Sequence, residues 1–201
     1  MEGIIFYWFA WIGWIWFTFI MNKTNNARFS LSIWVLVLII SSPYKVVILE
    51  IEVYMNAFIL WLFFIFSTFR LSNRVFFSVF FSSFITMLGY VSFLLFELFD
   101  PVWVVFDRKW MIAISGILLS SILQSNLYLR SITLVSGMLL GEFLFSVLLN
   151  RLGSSYPVAS PAFMDILAIT AMTMAVWLGI NYFAQVTGSY IYQGKEKQKS
   201  S

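Results

Sequence analysis

Long runs of apolar residues, separated by short polar breaks, make up almost the whole 201-residue chain. The runs cover residues 4–21, 29–44, 46–69, 75–99, 110–125, 129–151 and 162–184. About 20 apolar residues in a helix cross about 30 Å of hydrocarbon, so runs of this length predict transmembrane helices. Strict alternation, as in a membrane β-barrel strand, is absent, since residues 58–66 are all apolar. The pattern predicts an all-α, polytopic transmembrane bundle of about seven helices.

Two boundaries in this pattern are weak. Only Pro43 and its neighbours separate the second run from the third, and the fifth run is short. Six crossings with a re-entrant fifth run are therefore the alternative to seven. In both cases the chain is one transmembrane domain over residues 1–201, and residues 185–201 are predicted to form a short cytoplasmic tail.

The Lys and Arg residues predict the orientation, because cytoplasmic loops carry an excess of them. Counted from an outside N-terminus, eight basic residues lie inside and four lie outside. The inside set is Lys23, Arg28, Arg70, Arg74, Arg130, Lys195, Lys197 and Lys199, and the outside set is Lys45, Arg108, Lys109 and Arg151. We therefore expect an outside N-terminus and a cytoplasmic C-terminus.

Composition agrees with this interpretation and narrows the chemistry. Hydrophobic residues make up 61% of the chain, charged residues 10%, and the mean hydropathy is +0.91. The net charge of +3 is spread over loop ends and predicts no nucleic-acid partner. The chain has no cysteine and no histidine, which excludes disulfides, thiolate nucleophiles, the usual zinc and haem sites, and Ser-His or Cys-His catalysis. We expect no enzyme activity and no cofactor.

Polar residues inside the runs follow helical spacing and so share faces. In the fourth run they lie at Ser78, Ser82, Thr86, Gly89 and Glu97; in the sixth at Glu142, Ser146 and Asn150; in the seventh at Thr170, Thr173, Trp177 and Asn181. With each run centred in the bilayer, Thr86, Glu142 and Thr173 lie at similar depth. The alternatives are that these faces line a ligand pathway or that they hold helices together.

Glu142 is the acidic residue nearest the middle of a predicted span. A charged carboxylate is costly at that depth, and no Lys, Arg or His of the runs is expected nearby to neutralise it. We therefore expect a protonated Glu142 that is hydrogen bonded to Thr86, Thr173 or a backbone carbonyl. Glu142, Ser146, Asn150, Thr86 and Thr173 are the candidate functional residues.

Two further features of the last two runs predict contacts. Gly137 and Gly141 form a GxxxG step that permits close helix approach, on a face expected to be distinct from that of Glu142. Arg151 ends the sixth run and Asp165 lies about one turn inside the seventh. These two residues are the candidate ion pair, and hydration of Asp165 at the interface is the alternative.

The chain opens with Met1-Glu2-Gly3 and continues with Tyr7-Trp8 in a tryptophan-rich first run, and no soluble domain follows. In these features and in its length it resembles the YphA-like family of small membrane proteins from Bacillus-type bacteria. The resemblance implies a multi-pass protein of the cell membrane and supplies no activity or site residue.

Two hypotheses for function follow. The first is a non-catalytic scaffold or accessory subunit that acts through helix contacts, with the lipid bilayer and either another membrane protein or a second copy as partners. The second is a small transporter or solute-binding subunit with Glu142 in a polar interior path.

Overall fold

The computed structural model describes residues 2–23, 25, 27–48, 50–69 and 71–199, the side chains of 181–199 excepted. Its described part is a helical bundle with one small hairpin. The helices are α1 (Ile4–Ile15), α2 (Ala27–Ser41), α3 (Met55–Thr68), α4 (Asn73–Phe99), α5 (Arg108–Leu123), α6 (Leu127–Arg151) and α7 (Pro161–Lys199). A π-helical segment, Trp16–Ile20, extends α1, and a 3-10 turn, Pro101–Trp103, precedes α5. The predicted all-α class is confirmed for this part of the chain.

The third predicted run is corrected in its first half. Residues 46–48 and 51–54 are not helical, because they belong to strands β1 (Lys45–Ile48) and β2 (Ile51–Tyr54), which pair antiparallel. The segment is rich in Val and Ile, whose β-branched side chains favour strands. Its Glu50 and Glu52 would also be costly on a lipid-facing helix. The hairpin leaves α3 with only 14 residues.

Hydrogen bonds and an ion pair join several segments at one end of the helices, here called the hairpin end. The loop before α7 joins β2 through Tyr54 N to Val158 O (3.0 Å) and Val158 N to Glu52 O (2.8 Å). The start of α1 and the start of α7 meet where Gly3 N donates to Asp165 Oδ2 (2.9 Å). The end of α4 and the start of α5 meet in the Glu97–Arg108 ion pair (2.9 Å).

The other end, here called the Gln124 end, gathers the remaining connections. Gln124 Nε2, after α5, donates to Ser82 Oγ (2.9 Å) in the early part of α4. The Tyr128 hydroxyl, at the start of α6, donates to Ser67 O near the end of α3 (3.3 Å). The helices therefore alternate in direction from α1 to the start of α7.

The length of the helices varies more than the runs predict. Within the described residues, three helices are long and apolar enough to cross a membrane by length and composition: Asn73–Phe99, Leu127–Arg151 and the Pro161–Ile180 part of α7. The apolar stretches Ile4–Ile20, Ala27–Ser41 and Met55–Thr68 are shorter. A 14-residue helix is about 21 Å long, less than the hydrocarbon thickness.

The chain divides into two compact units, Met1–Thr170 and Ala171–Ser201. The first unit contains α1 to α6, the hairpin and the first turns of α7. Its core lies where Val79 and Leu94 of α4, Leu134 and Met138 of α6, and Phe163 of α7 are buried. The second unit is the rest of α7, which is helical to Lys199, so the predicted tail at 185–201 begins within a helix. The side chains of that tail lie outside the described residues.

Candidate functional site

Glu142 of α6 is fully buried, with 0% of its surface exposed. Its Oε1 accepts hydrogen bonds from the Tyr90 hydroxyl of α4 (2.5 Å) and from the Tyr156 hydroxyl in the loop before α7 (3.0 Å). Its Oε2 has no donor of good geometry among the described residues, although the Ala159 backbone N–H lies near the carboxylate. Glu142 thus joins two helices and a loop.

The partners expected for Glu142 differ from those observed. The Thr86 hydroxyl donates to Ser82 O in the preceding turn of α4 (2.9 Å). Ser and Thr side chains in helices commonly form this hydrogen bond to a backbone carbonyl. Thr173 belongs to the second unit, whereas Glu142 and both tyrosines belong to the first. Tyr90 lies four residues beyond Thr86 on the same face, so the stripe in α4 pointed to the correct surface. Tyr156 carried no periodic signal, because it lies in a loop.

Ser146, one turn beyond Glu142, is also fully buried. Its hydroxyl donates to the backbone oxygen of Tyr156 (2.5 Å), which fixes the loop that carries the second tyrosine. Phe145 packs edge-on against the Tyr156 ring, with centroids 4.9 Å apart. The Glu142 and Ser146 side chains therefore hold one loop residue by its side chain and by its main chain.

The predicted glycine step lies in the contact between α4 and α6. A Cβ added at Gly137 would lie 2.6 Å from Thr86 Cβ, and one at Gly141 would lie 2.6 Å from the Tyr90 ring. Beside them, the Ser83 and Ser136 hydroxyls are hydrogen bonded (2.7 Å). The expectation that the glycines and Glu142 use distinct faces is corrected, because Tyr90 contacts both Gly141 and Glu142.

Asp165, also fully buried, pairs with Lys109 rather than with Arg151. Lys109 Nζ lies 2.6 Å from Asp165 Oδ2, while Gly3 N and Phe6 N donate to the two carboxylate oxygens at 2.9 Å each. Asp165 thus accepts from backbone N–H groups at the start of α1, as an N-cap side chain would, although it lies about 160 positions away in sequence. The described ion pairs include none between Asp165 and Arg151, which is exposed at the end of α6.

Arg108 extends this network towards Glu142. It is paired with Glu97, and its guanidinium lies beside the Tyr156 hydroxyl. Burial, followed by the nearby Glu142 carboxylate, raises the pKa of Tyr156 well above the ordinary value for tyrosine. Tyr156 therefore stays a hydrogen-bond donor to Glu142 at any physiological pH.

A small polar cleft of about 100 Å³ lies at the hairpin end above Glu142. Its lining includes Glu50, Glu52, Ser146, Asn150 and Tyr156. It brings together the predicted residues Ser146 and Asn150, but Thr86 lies in the contact between α4 and α6 and is not part of it. In the described part of the chain, no three Asp or Glu residues converge as a metal site.

Long apolar helices with many exposed large apolar side chains indicate an integral membrane protein. The carboxylate shared by two tyrosines gives it a buried polar site. The chain belongs to the YphA-like integral membrane protein family, whose model matches residues 2–201. It is similar to "Uncharacterized protein YphA" of Bacillus subtilis (strain 168), with 26% identity over 204 residues that cover 100% of this chain and 98% of that protein. No solved structure matches.

Proposed function

We propose that this chain is a multi-pass protein of the cell membrane with seven crossings, an outside N-terminus and a cytoplasmic C-terminus. The alternating directions of α1 to α7 support seven crossings. The short helices α2 and α3 would then thin the bilayer locally or rely on flanking residues to reach the interface. The eight-to-four split of Lys and Arg counted along the sequence supports the orientation, in which the hairpin end would lie outside.

The test of this topology is a set of fusions. A phosphatase fused after Asn73 or after Ser201 should be inactive, and one inserted near Ser155 should be active. A fluorescent reporter that matures only in the cytoplasm should give the inverse pattern. An active phosphatase after Ser201 would contradict the proposed orientation, and an inverted pattern only beyond Trp110 would indicate six crossings.

Within the membrane, the function that the geometry supports best is a non-catalytic scaffold or accessory subunit that acts through helix contacts. The observation that carries it is the closed contact between α4 and α6. The Ser83 and Ser136 hydroxyls are hydrogen bonded across that contact, Thr86 packs against Gly137, and the glycines of α6 bring the two backbones close. A cavity of about 320 Å³ borders this contact, and Thr86 and Tyr90 contribute to its lining, but most of that lining is apolar. The Ser83–Ser136 pair is not part of the lining and joins the two helices, as expected of polar groups that hold helices together.

The lipid-facing surface is the part of the protein that remains to make contacts. Large aromatic side chains are exposed there, including Trp8 of α1 and Phe81 of α4. In a membrane such residues are covered by lipid or by another helix, and helix association depends on shape and on interhelical hydrogen bonds. We therefore propose that the protein acts through contacts that this surface makes with another membrane protein.

Site-specific photocrosslinking in native membranes tests the scaffold. A photoreactive amino acid at Trp8 or at Phe81 should give a discrete adduct with one membrane protein, in stoichiometric yield relative to the chain. The same amino acid at Phe163, which is buried in the core, is the matched control and should give none. Only diffuse lipid adducts at every exposed position would contradict the scaffold.

The cleft at the hairpin end favours a second candidate, a small transporter or solute-binding subunit. It opens beside Glu50 and Glu52 and reaches Tyr156, which is hydrogen bonded to Glu142. A solute or proton that entered there would meet Glu142 through Tyr156. Glu142→Gln retains the acceptor for both tyrosines and cannot titrate. Normal expression with loss of a transport phenotype in Glu142→Gln would favour this candidate over the scaffold.

A further inference from the structure

A groove of about 570 Å³ lies between the first two helices, near the Gln124 end. One wall is the last part of α1 with the π segment, and the other wall is the first half of α2. Its lining away from the loop is mainly apolar, with Trp14, Phe29, Ile33 and Leu36. Thr18 and Ser32 also line it, and the Thr18 hydroxyl donates to Ser32 Oγ (3.2 Å). Nothing in the candidate site described above uses this groove.

The mouth of the groove has a different chemistry from its interior. Lys23, Asn25 and Arg28 line it, between the end of the π segment and the first turn of α2. Lys23 is exposed and Arg28 is half-buried. The groove therefore combines a basic, hydrogen-bonding rim with a mainly apolar interior, in which the two hydroxyls satisfy each other.

The π segment explains why the rim is built this way. A π turn closes i→i+5 hydrogen bonds, here Met21 N to Trp16 O (2.9 Å), and leaves other carbonyls at the helix end without helical donors. The Arg28 side chain donates to two of these, Phe17 O (3.1 Å) and Thr18 O. Since carbonyls are neutral, Arg28 keeps its full positive charge at the mouth.

The charge at the mouth is not neutralised by the described part of the protein. The ion pairs of the described residues join Lys45 to Glu52, Arg108 to Glu97 and Lys109 to Asp165, all at the hairpin end. Lys23 and Arg28 take part in none of them. Two cations at the rim of a mainly apolar groove are complementary to a ligand that has an anionic head and a hydrocarbon chain.

We infer that this groove binds an anionic phospholipid from the leaflet at the Gln124 end. Lys23, Asn25 and Arg28 bind its phosphate, and an acyl chain lies along Phe29, Ile33 and Leu36. A zwitterionic lipid fits the apolar part equally well but gains less from the two cations, so the preference for an anionic head is the signature of the site.

Quenching of tryptophan fluorescence by brominated lipid measures this preference at a known place. The full-length protein is reconstituted into phosphatidylcholine vesicles that contain brominated phosphatidylglycerol or, separately, brominated phosphatidylcholine with identical acyl chains. The difference between the intact protein and a Trp14→Phe variant isolates Trp14 from the other eight of the 9 tryptophans. Trp14 should report phosphatidylglycerol enriched severalfold over phosphatidylcholine.

Lys23→Gln is the main variant, because it leaves the Arg28 contacts with α1 in place. It should lower the preference for phosphatidylglycerol about fivefold, as expected for one cation beside an anionic head. Arg74→Gln is the matched control: it removes one exposed cation at the Gln124 end, outside the groove lining, and should leave the preference unchanged. Arg28→Lys keeps the charge and should keep most of the preference.

Three results would overturn the inference. The first is equal quenching of Trp14 by the two brominated lipids. The second is an equal loss of preference in Arg74→Gln and Lys23→Gln, which would indicate attraction by the whole basic surface. The third is displacement of phosphatidylglycerol by inorganic phosphate at constant ionic strength, which would indicate a site for a free anion.

Discussion

The Lys109–Asp165 pair allows a quantitative test of how the hairpin end is held together. Asp165 is fully buried, while 25% of the Lys109 side chain is exposed. The perturbations are Asp165→Asn and Lys109→Met, alone and combined, with Arg151→Met as the control. Each single variant removes one charge of the pair and leaves the other charge without its partner.

The expected magnitude follows from burial and from the contacts that remain. Breaking a buried pair costs about 3–5 kcal/mol, because it leaves an uncompensated charge. Lys109→Met should lie near the lower limit, since Gly3 N and Phe6 N still donate to the carboxylate. Asp165→Asn should also cost about 3 kcal/mol. One amide oxygen cannot replace two carboxylate oxygens, which destabilises the fold, whereas water screens the exposed part of Lys109, which limits the loss. The double variant should be more stable than additivity predicts by about 2 kcal/mol.

The assay is reversible unfolding of the purified protein in mixed micelles with increasing denaturing detergent, monitored by tryptophan fluorescence. Arg151→Met, an exposed replacement outside the network, should change the free energy of unfolding by less than about 0.5 kcal/mol. Additive effects of the two single variants would show that the pair does not stabilise the fold. A cost for Arg151→Met as large as that for Lys109→Met would show that Arg151 is the true partner.

Three other predictions concern the contact between α4 and α6 and the loop above it. Gly137→Ala should destabilise the protein by about 1–3 kcal/mol, since its new Cβ would lie 2.6 Å from Thr86 Cβ. The control Gly179→Ala, with open space around the new Cβ, should not destabilise the protein in the same unfolding assay. Glu142→Gln should unfold at nearly the same detergent concentration as the unmodified protein and Glu142→Leu at a lower one, because only Gln can still accept from the tyrosines; equal losses would contradict this. The raised pKa of Tyr156 keeps its hydroxyl protonated in the folded state, whereas tyrosines of the unfolded chain ionise above about pH 10. The free energy of unfolding should therefore fall as pH rises above about 10. Tyr156→Phe should reduce this dependence of stability on pH.

The helices of the core were predictable because local signals mark their ends. Asn126 begins α6 as an N-cap whose side chain accepts from Tyr128 N (2.9 Å), and Ser160 with Pro161 begins α7. The hairpin at 45–54 was not recognised, because an apolar run next to another helix has no periodicity that separates a strand from a helix. The β-branched residues and the two acids of that run were the available signal.

The candidate site was predictable only in part. Glu142 could be singled out from its depth, and the α4 stripe led to within one turn of Tyr90. Tyr156 and Lys109 could not be found, because loop residues and residues near a helix start carry no periodicity, and their partners are distant in sequence. The choice of Arg151 for Asp165 followed nearness along the chain, whereas the fold brings the start of α5 closer.

These contacts have a common physical role in a bundle whose helices are apolar on most sides. Lipid tails are as apolar as leucine, so the hydrophobic effect does not decide which helices meet inside the bilayer. Shape and polar contacts must decide it: Gly137 and Gly141 match α6 to α4, Glu142 selects Tyr90 and the loop at Tyr156, and Asp165 selects the starts of α1 and α5. Because each carboxylate binds segments that are distant in sequence, its loss should change which helices associate before it unfolds any one helix. A scaffold requires this property, since its partner recognises the lipid-facing surface that a unique arrangement of helices creates.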